Sequence, residues 1–255
     1  MSEVAANHTP KYLVVRDYLA TRIEKGEFKS GDKLPSEREL QESFDVARVT
    51  IRDALLALQT EGLIYRLDRR GWFVTPKRII YNPRSTESFM QYVTAQGRVP
   101  KSELISAELI EASEWAAERL NIAVGGPVYS IWRKRFVDGR MVFIEHVRVN
   151  AALFPDFLDK PLTDSLTEIM YKHYGVELVR VNINLYPASL GAFQARHLLV
   201  TPGTLGLYIG RNSYDQFGRV TNVDQEYWVH DALEISLEAH KDESALMSSI
   251  FKTNE

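Results

Sequence analysis

The chain has 255 residues, of which 45% are hydrophobic and 25% are charged, and its formal net charge at pH 7 is -3. This composition is typical of a globular protein with one large domain or two ordinary ones. The chain contains no cysteine, which excludes disulfides, thiol catalysis and cysteine-ligated zinc. The histidines lack the spacing of a metal site, and no apolar run reaches the roughly 18 residues of a membrane span. We therefore expect no metal, no cofactor, no membrane contact and a cytoplasmic location.

Charge is distributed unevenly along the chain. Residues 1–78 contain 14 basic and 12 acidic side chains, whereas residues 79–255 contain 17 basic and 22 acidic ones. Within residues 47–78 seven basic side chains stand against three acidic ones. A local basic excess beside an acidic remainder favours a small DNA-reading module joined to a second domain.

The first 76 residues predict the element order of a winged helix-turn-helix. Helical periodicity supports the first helix, and Ser36 with Glu39 forms a capping-box sequence at the start of the second. Gly62 closes the third helix. The predicted elements are helices over 10–24, 36–44 and 48–60 and strands over 63–67 and 71–75.

The predicted third helix separates a core stripe from an outward face. At about 100° per residue, Ile51 lies on the core side, whereas Arg48, Thr50 and Arg52 lie on its flanks. Arg48 is unfavourable for the helix itself, because the helix dipole disfavours a base in the first turn by about 0.3–1 kcal/mol. The placement favours contact with phosphates or base edges over a merely solvated basic face.

The stretch YRLDRRGWFV, Tyr65–Val74, puts two adjacent arginines and a glycine at a predicted hairpin tip. Taken alone, such a turn is explained by solvation. After the two preceding helices it predicts a wing, with Arg70 and Gly71 at a DNA groove and Arg69 on a phosphate. Trp72 is predicted to pack the wing against the helices.

This region resembles the N-terminal domain of GntR-type transcription regulators over its whole length. The motifs that carry the resemblance are LPSEREL, the R-x-T-x-R-x-A-L start of the third helix and the EGLI that follows it. The resemblance implies a homodimer that reads an inverted repeat in double-stranded operator DNA. It also implies DNA contacts at Arg38, Arg48, Thr50, Arg52 and, in the minor groove, Arg70 and Gly71.

One position departs from the family pattern. Ala47 stands where the family usually has Ser or Thr, directly before the third helix. A missing N-cap costs about 1 kcal/mol, unless Asp45 caps the helix from further back. The departure puts in doubt one phosphate contact from that hydroxyl.

The second part of the chain contains an internal duplication after an extended linker. AAERLNIAVGGPVYSIWR, from Ala116, matches QARHLLVTPGTLGLYIGR, from Gln194, at an offset of 78 residues. Each unit predicts a helix, a Gly/Pro turn, a strand and a hairpin, so the pair predicts one antiparallel sheet with pseudo-two-fold symmetry and a ligand cleft between its halves. The matched residues are Ala117, Leu120, Ile122, Gly125, Ile131 and Arg133 with Ala195, Leu198, Val200, Gly203, Ile209 and Arg211.

Arg133 and Arg135 alternate along one predicted strand and therefore share one side of it. Two inward guanidiniums are costly unless an anion meets them, and a bidentate phosphate or phosphonate suits that requirement. The alternatives are a surface-facing basic strand or an Arg–Glu pair.

The position of Glu145 depends on the turn at Asp138-Gly139. A two-residue loop puts Glu145 opposite Trp132, on the wrong face, whereas a three-residue loop with a bulge puts it with the arginines. We predict the three-residue loop.

Asp224 and Glu226 lie two residues apart and share a face of the last long strand. Paired acids near an arginine pair indicate a zwitterionic ligand with an anionic end and an amine or polyol end. The alternative for Asp224 is a solvated strand residue.

The segment from about residue 89 to 240 resembles the UTRA effector domain of the HutC subfamily of GntR regulators, a fold shared with chorismate lyase. RKRFVDG, LFP and DSLT carry the resemblance together with Glu145 and Glu226. It implies an α+β chain with flanking helices on the antiparallel sheet, and effector contacts from Ser88, Phe89, Met90 and Ser165, with Thr167 nearby. DRRGWFVTP, SLTE and EYWVHD-L are similar to regulators of 2-aminoethylphosphonate utilisation, which implies that effector; an amino-sugar phosphate is the alternative.

The predicted domains are a DNA-binding domain over 1–76, a linker over 77–88, an effector-binding and dimerisation domain over 89–243 and a tail over 244–255. We expect a repressor relieved by its ligand. An enzyme is the competing class, but the sequence shows no nucleophile–base pair, metal spacing or Gly-rich phosphate loop. A DNA-binding architectural protein without an effector is a third reading.

Overall fold

The computed structural model describes residues 9–67, 70–85 and 87–238. The predicted tail, Arg69 and the last residues of the predicted effector domain lie outside this part of the chain. The helices are α1 Lys11–Glu24, α2 Glu37–Phe44, α3 Arg48–Thr60, α4 Phe89–Ala95, α5 Glu114–Leu120, α6 Leu166–Tyr174 and α7 Ala192–Leu198. The strands are β1 Ile64–Leu67, β2 Gly71–Val74, β3 Ile79–Tyr81, β4 Pro100–Glu111, β5 Pro127–Val137, β6 Arg140–Asn150, β7 Leu178–Ser189, β8 Leu205–Asp215, β9 Val220–Val229 and β10 Leu233–Ile235.

The N-terminal helices form where the sequence predicts them. The backbone amide of Glu39 donates to the Ser36 hydroxyl at 3.3 Å, and the Ser36 amide donates to the Glu39 carboxylate at 2.7 Å, which completes the capping box. Helix α3 starts at Ala47 without a side-chain cap. Asp45 supplies none, because it ends α2 in the left-handed region at φ 48°. The first turn of α3 is therefore uncapped.

The wing is a two-stranded antiparallel hairpin of β1 and β2, with Leu67 opposite Gly71. Trp72 is only 4% exposed and belongs to the same apolar cluster as α1 and α3. The Leu34 amide donates to the Trp72 carbonyl, which ties the wing to the loop before α2. Trp72 thus packs the wing against the helices, as predicted.

The second half of the chain builds one six-stranded antiparallel sheet in the order β4-β5-β6-β9-β8-β7. Strands β4, β5 and β6 with α5 repeat as β7, β8 and β9 with α7. The helices of both units end on a left-handed residue, Asn121 or Leu199, and both turns use a left-handed glycine, Gly125 or Gly203. The predicted duplication and the pseudo-two-fold arrangement are confirmed, with the two halves meeting between β6 and β9.

The segment predicted as a linker contains β3, which pairs in parallel with β10 near the end of the described chain. Ile79 and Tyr81 are 1% and 2% exposed and pack into the largest apolar cluster of the second domain. The connection is therefore anchored to the effector domain along much of its length. No helix in the described part of the chain is long and apolar enough to cross a membrane.

Candidate functional site

One cavity lies on the face of the sheet where strands β5, β6, β9 and β8 meet, at the junction of the two repeated halves. All ten residues predicted to contact an effector line this cavity, although they come from five separate parts of the chain. They are Ser88, Phe89, Met90, Arg133, Arg135, Glu145, Ser165, Thr167, Asp224 and Glu226. The structure thus brings the predicted residues together, and their contact with an effector stays a prediction.

The turn between β5 and β6 differs from the predicted one. Val137 pairs directly with Arg140, so the loop has two residues, Asp138 and Gly139, both in the left-handed region that an Asp-Gly hairpin favours. The three-residue loop is therefore wrong. Further from the turn, β6 has one extra residue, Val142, and this bulge shifts the register of the two strands by one residue.

This bulge has the consequence that the longer loop was expected to have. Arg135 pairs with Phe143 and Arg133 pairs with Glu145 across β5 and β6. Because side chains alternate along a strand, the shift moves Glu145 from the face of Trp132 to the face of the arginines.

Arg133, Arg135 and Glu145 form a buried ion cluster, each less than 5% exposed. Both arginines donate from Nε to the same carboxylate oxygen of Glu145, and Arg135 Nη2 lies 2.7 Å from it. Burial alone would raise the pKa of Glu145, but the two guanidiniums outweigh burial and hold that pKa below its usual value. Burial, assisted by Arg135, lowers the pKa of Arg133 to about 10. The inward arginines therefore carry an excess of positive charge with one shared counterion.

The remaining donors of the arginines connect the cluster to the cavity wall. Arg133 Nη1 donates to the carbonyl oxygens of Leu162 and Asp164, both at 2.9 Å. Arg135 donates to the Ser102 hydroxyl, and its guanidinium carbon lies 5.1 Å from the ring centre of Phe89. These contacts fix both guanidiniums before any ligand binds.

Two helices begin at the same end of the cavity. Ser88 caps α4 by accepting from the Gln91 amide, and Ser165 caps α6 by accepting from the Glu168 amide. The first-turn amides of a helix have no acceptor inside it, and the first residues of both helices line the cavity together with the arginines. This end of the cavity is suited to an anionic group.

Acidic side chains occupy the other side of the junction. The indole of Trp228 donates to Glu226 at 2.7 Å, and the amide of Asn222 donates to Asp224 at 2.7 Å. Burial, reinforced by the charge of Glu145, raises the pKa of Asp224 to about 7 and also raises that of Glu226. Carboxylates with raised pKa values are suited to a cationic amine.

Two charged residues line the cavity that sequence reasoning missed, the exposed Glu87 and the half-buried Arg211. Arg211 Nε lies 3.0 Å from Glu226 Oε1. Although burial works in the opposite direction, Glu226 raises the pKa of Arg211. The duplication contains the signal that could have found it, because Arg211 is the repeat partner of Arg133.

Asp224→Asn should make the free energy of unfolding less dependent on pH. The folded-state pKa of about 7 lies above the unfolded value of about 3.9, so the native protein holds an extra proton between these values and loses stability as the pH rises through that window. The gain from the variant should be smallest near pH 4, grow towards pH 7 and stay constant above it. Urea denaturation from pH 4 to 8 measures it, and a gain that does not change with pH would contradict the assignment.

Most of the predicted DNA-contacting residues that the structure describes are exposed on the N-terminal domain. The side chains of Arg38 and Arg48 are 83% and 73% exposed, and Arg48 Nε lies 3.3 Å from Glu37 Oε2. Arg52 and Arg70 are exposed, whereas Thr50 is half-buried. Gly71 has φ 102° at the start of β2.

The described residues contain no group of three or more His, Cys, Asp or Glu side chains that would hold a metal ion.

A model of the family described as "Bacterial regulatory proteins, gntR family" matches residues 11–74, and a model of the UTRA domain matches residues 95–234. The chain belongs to the GntR family. As a GntR regulator with a UTRA domain, it is a DNA-binding transcription regulator and not an enzyme.

Individual GntR relatives agree over most of the chain. The uncharacterised HTH-type transcriptional regulator YihL of Escherichia coli K12 is 31% identical over 80% of this chain and 87% of its own length. The HTH-type transcriptional repressor NagR of Bacillus subtilis is 30% identical over 82% of this chain and 86% of its own. The crystal structure of PhnF from Mycobacterium smegmatis superposes with a TM-score of 0.63 at 26% identity, covering 89% of this chain and all of that one.

Proposed function

We propose that this GntR regulator is a homodimeric repressor whose binding to an inverted-repeat operator is relieved by a small zwitterionic effector in the UTRA cavity. One observation carries the proposal. The cavity opposes two buried, fixed guanidiniums, Arg133 and Arg135, to two carboxylates, the half-buried Asp224 and the buried Glu226. A ligand with an anionic group at one end and an amine at the other satisfies both.

The effector that fits this arrangement best is 2-aminoethylphosphonate. Its phosphonate accepts bidentate hydrogen bonds from guanidiniums, and charge-assisted bonds of this kind are about twice as strong as neutral ones. Its ammonium meets Asp224 and Glu226. The resemblance of DRRGWFVTP and SLTE to regulators of phosphonate utilisation supports the same choice.

An amino-sugar phosphate is the second candidate. The cavity is lined by further hydrogen-bonding side chains between its charged ends, among them Ser213 and Asn222, which suits a ligand with hydroxyl groups. A relative in Escherichia coli O157:H7, 26% identical over 86% of this chain, is named a probable fructoselysine utilization operon transcriptional repressor. If this chain responds to a ligand of a similar kind, that ligand is a sugar derivative with an amine.

A direct contact between the domains supports control of the wing by the cavity. Arg140 lies next to the turn of the hairpin that carries Arg133, and its guanidinium carbon is 4.0 Å from the ring centre of Tyr65 in β1. Arg140 Nη2 is also held 2.7 Å from Asp231 Oδ1. A shift of this hairpin on effector binding would therefore move the wing of each protomer relative to its partner's.

Helix α3, which we propose reads the bases, and the wing should respond differently to substitution. Arg48→Ala or Arg52→Ala should cost about 1–3 kcal/mol of operator affinity and relax the base preference, because each removes a contact to base edges. Arg69→Ala should weaken binding to all DNA alike and reduce the salt slope by about 1. Titrations at several salt concentrations distinguish them, with the exposed Arg196→Ala on α7 as control. Equal losses on operator and random DNA for Arg52→Ala would contradict its role.

The proposed effector should stabilise the protein in a thermal unfolding experiment. At a concentration about 100 times its dissociation constant, 2-aminoethylphosphonate should add roughly 2.7 kcal/mol to the free energy of unfolding. Ethylphosphonate, which lacks the amine, should give a smaller shift, and Arg135→Ala should abolish both. If an amino-sugar phosphate shifts the transition and 2-aminoethylphosphonate does not, the second candidate replaces the first.

A further inference from the structure

The register of the sheet relates the charged residues of the cavity by the pseudo-two-fold axis. Arg133 pairs with Glu145 across β5 and β6, and Arg211 pairs with Asp224 across β8 and β9. Between the halves, Glu145 pairs with Glu226. The pair Arg211–Asp224 is therefore the counterpart of the pair Arg133–Glu145.

The two halves differ in the balance of their charges. The counterpart of Arg135, one repeat further on, is Ser213, which also lines the cavity. The first half thus offers two guanidiniums for one carboxylate, whereas the second half offers Arg211 with Asp224 and Glu226. This asymmetry fixes the polarity of a ligand, with its anionic group in the first half.

Arg211 retains hydrogen-bonding capacity that its own half does not use. Its Nε lies near Glu226, but the N–H does not point at the carboxylate, and within the described residues this buried atom has no hydrogen-bond acceptor. The ring centre of Tyr81 lies 5.0 Å from the guanidinium carbon, and the buried Tyr81 hydroxyl also has no partner within this part of the chain. A buried polar group without a partner is costly, and Arg211 lines the cavity, so its Nε–H indicates a position for an oxygen atom of the ligand.

We infer that Arg211 is a specificity-determining residue, and that a ligand of the proposed class binds more tightly than 2-aminoethylphosphonate when it presents an uncharged oxygen acceptor to Arg211 in addition to its anionic group and its amine. The inference rests on the proposed function and ranks hydroxylated amino-phosphonates and amino-phosphates above 2-aminoethylphosphonate in affinity. Charge decides against a carboxylate at this position, because Glu226 already neutralises Arg211 and the charges of Glu145 and Asp224 lie nearby. A carboxylate on the ligand at this position would meet like charges.

The test is calorimetric titration of the full chain with ligands that share an amine and an anionic phosphorus group but differ in their other groups. 2-Aminoethylphosphonate is the reference, 2-amino-1-hydroxyethylphosphonate and glucosamine 6-phosphate supply hydroxyls, and 2-amino-3-phosphonopropionate supplies a carboxylate. The better hydroxylated ligand should bind roughly tenfold or more tightly than the reference, as expected for a hydrogen bond to a charged group. The carboxylate should weaken binding.

Arg211→Lys keeps a positive charge beside Glu226 and removes the Nε–H. This variant should therefore bind the hydroxylated ligand no more tightly than it binds 2-aminoethylphosphonate. Arg219→Lys, at the β8–β9 turn, is the matched control and should discriminate as the wild type does. Binding of 2-aminoethylphosphonate without any advantage for a hydroxyl, or full discrimination by Arg211→Lys, overturns this inference alone. Failure of all four ligands to bind overturns the proposed effector class and this inference with it.

Discussion

Glu145→Ala is expected to lower the free energy of unfolding by about 3–5 kcal/mol, the usual cost of removing one partner of a buried ion pair. Glu145 is 4% exposed, and it is the shared counterion of Arg133 and Arg135. Without it two buried guanidiniums face each other, and burial already lowers the pKa of Arg133. Urea denaturation of the two proteins at the same pH gives the difference.

Two further measurements separate this effect from a simple loss of side-chain volume. Inorganic phosphate should stabilise Glu145→Ala more than the wild type, because an anion replaces the missing carboxylate. Glu103→Ala removes an exposed partner of Lys101, 2.8 Å away, and should cost about 0–1 kcal/mol. A cost below about 1 kcal/mol for Glu145→Ala would mean that the arginines find other counterions.

Trp228→Ala should destabilise the effector domain by about 3–5 kcal/mol, the range for truncating a large buried aromatic residue. Trp228 is fully buried, and its ring stacks on Phe143 with centroids 3.9 Å apart. The indole also donates to Glu226, so the variant removes packing and the anchor of a cavity carboxylate together. Thermal unfolding of the variant and the wild type measures the loss of stability.

Trp228→Phe divides these two contributions. Phenylalanine keeps most of the stacking on Phe143 but leaves the Glu226 oxygen without its donor, which should cost about 1–3 kcal/mol. The exposed Phe217→Ala serves as a control for aromatic truncation and should stay within about 0.5 kcal/mol of the wild type. Equal costs for Trp228→Ala and Trp228→Phe would show that the hydrogen bond, not the packing, dominates.

The sequence predicts the elements that depend on local chemistry. The capping box at Ser36 and Glu39 depends on residues three apart, and the position of the hairpin turn at Asp138-Gly139 is likewise marked by its own residues, although we predicted a longer loop there. The duplication predicts the sheet because repeated units have the same local signals. The bulge at Val142 is not predictable in this way, since no residue type marks it and only its effect on the register of Glu145 shows it.

Contacts between distant segments account for most of the remaining differences between the sequence-based predictions and the structure. Strand β3 pairs with β10, about 150 residues later, and nothing in a short stretch with two prolines indicates that partner. Arg211 matches Arg133 in the duplication, but only the pairing of β8 with β9 shows that it faces Asp224. The charge of Arg211 is shielded by the strands that pair with β8, and its neighbours in sequence do not reveal this.

The measurement that tests the account most directly is operator affinity with and without effector at a fixed salt concentration. The DNA is a fragment that the protein selects from a random pool, and the ligand is 2-aminoethylphosphonate at a concentration that saturates the cavity by calorimetry. We predict that the ligand weakens operator binding of the wild type at least tenfold and leaves that of Arg135→Ala unchanged. Unchanged operator affinity of the wild type with the cavity occupied would contradict the account.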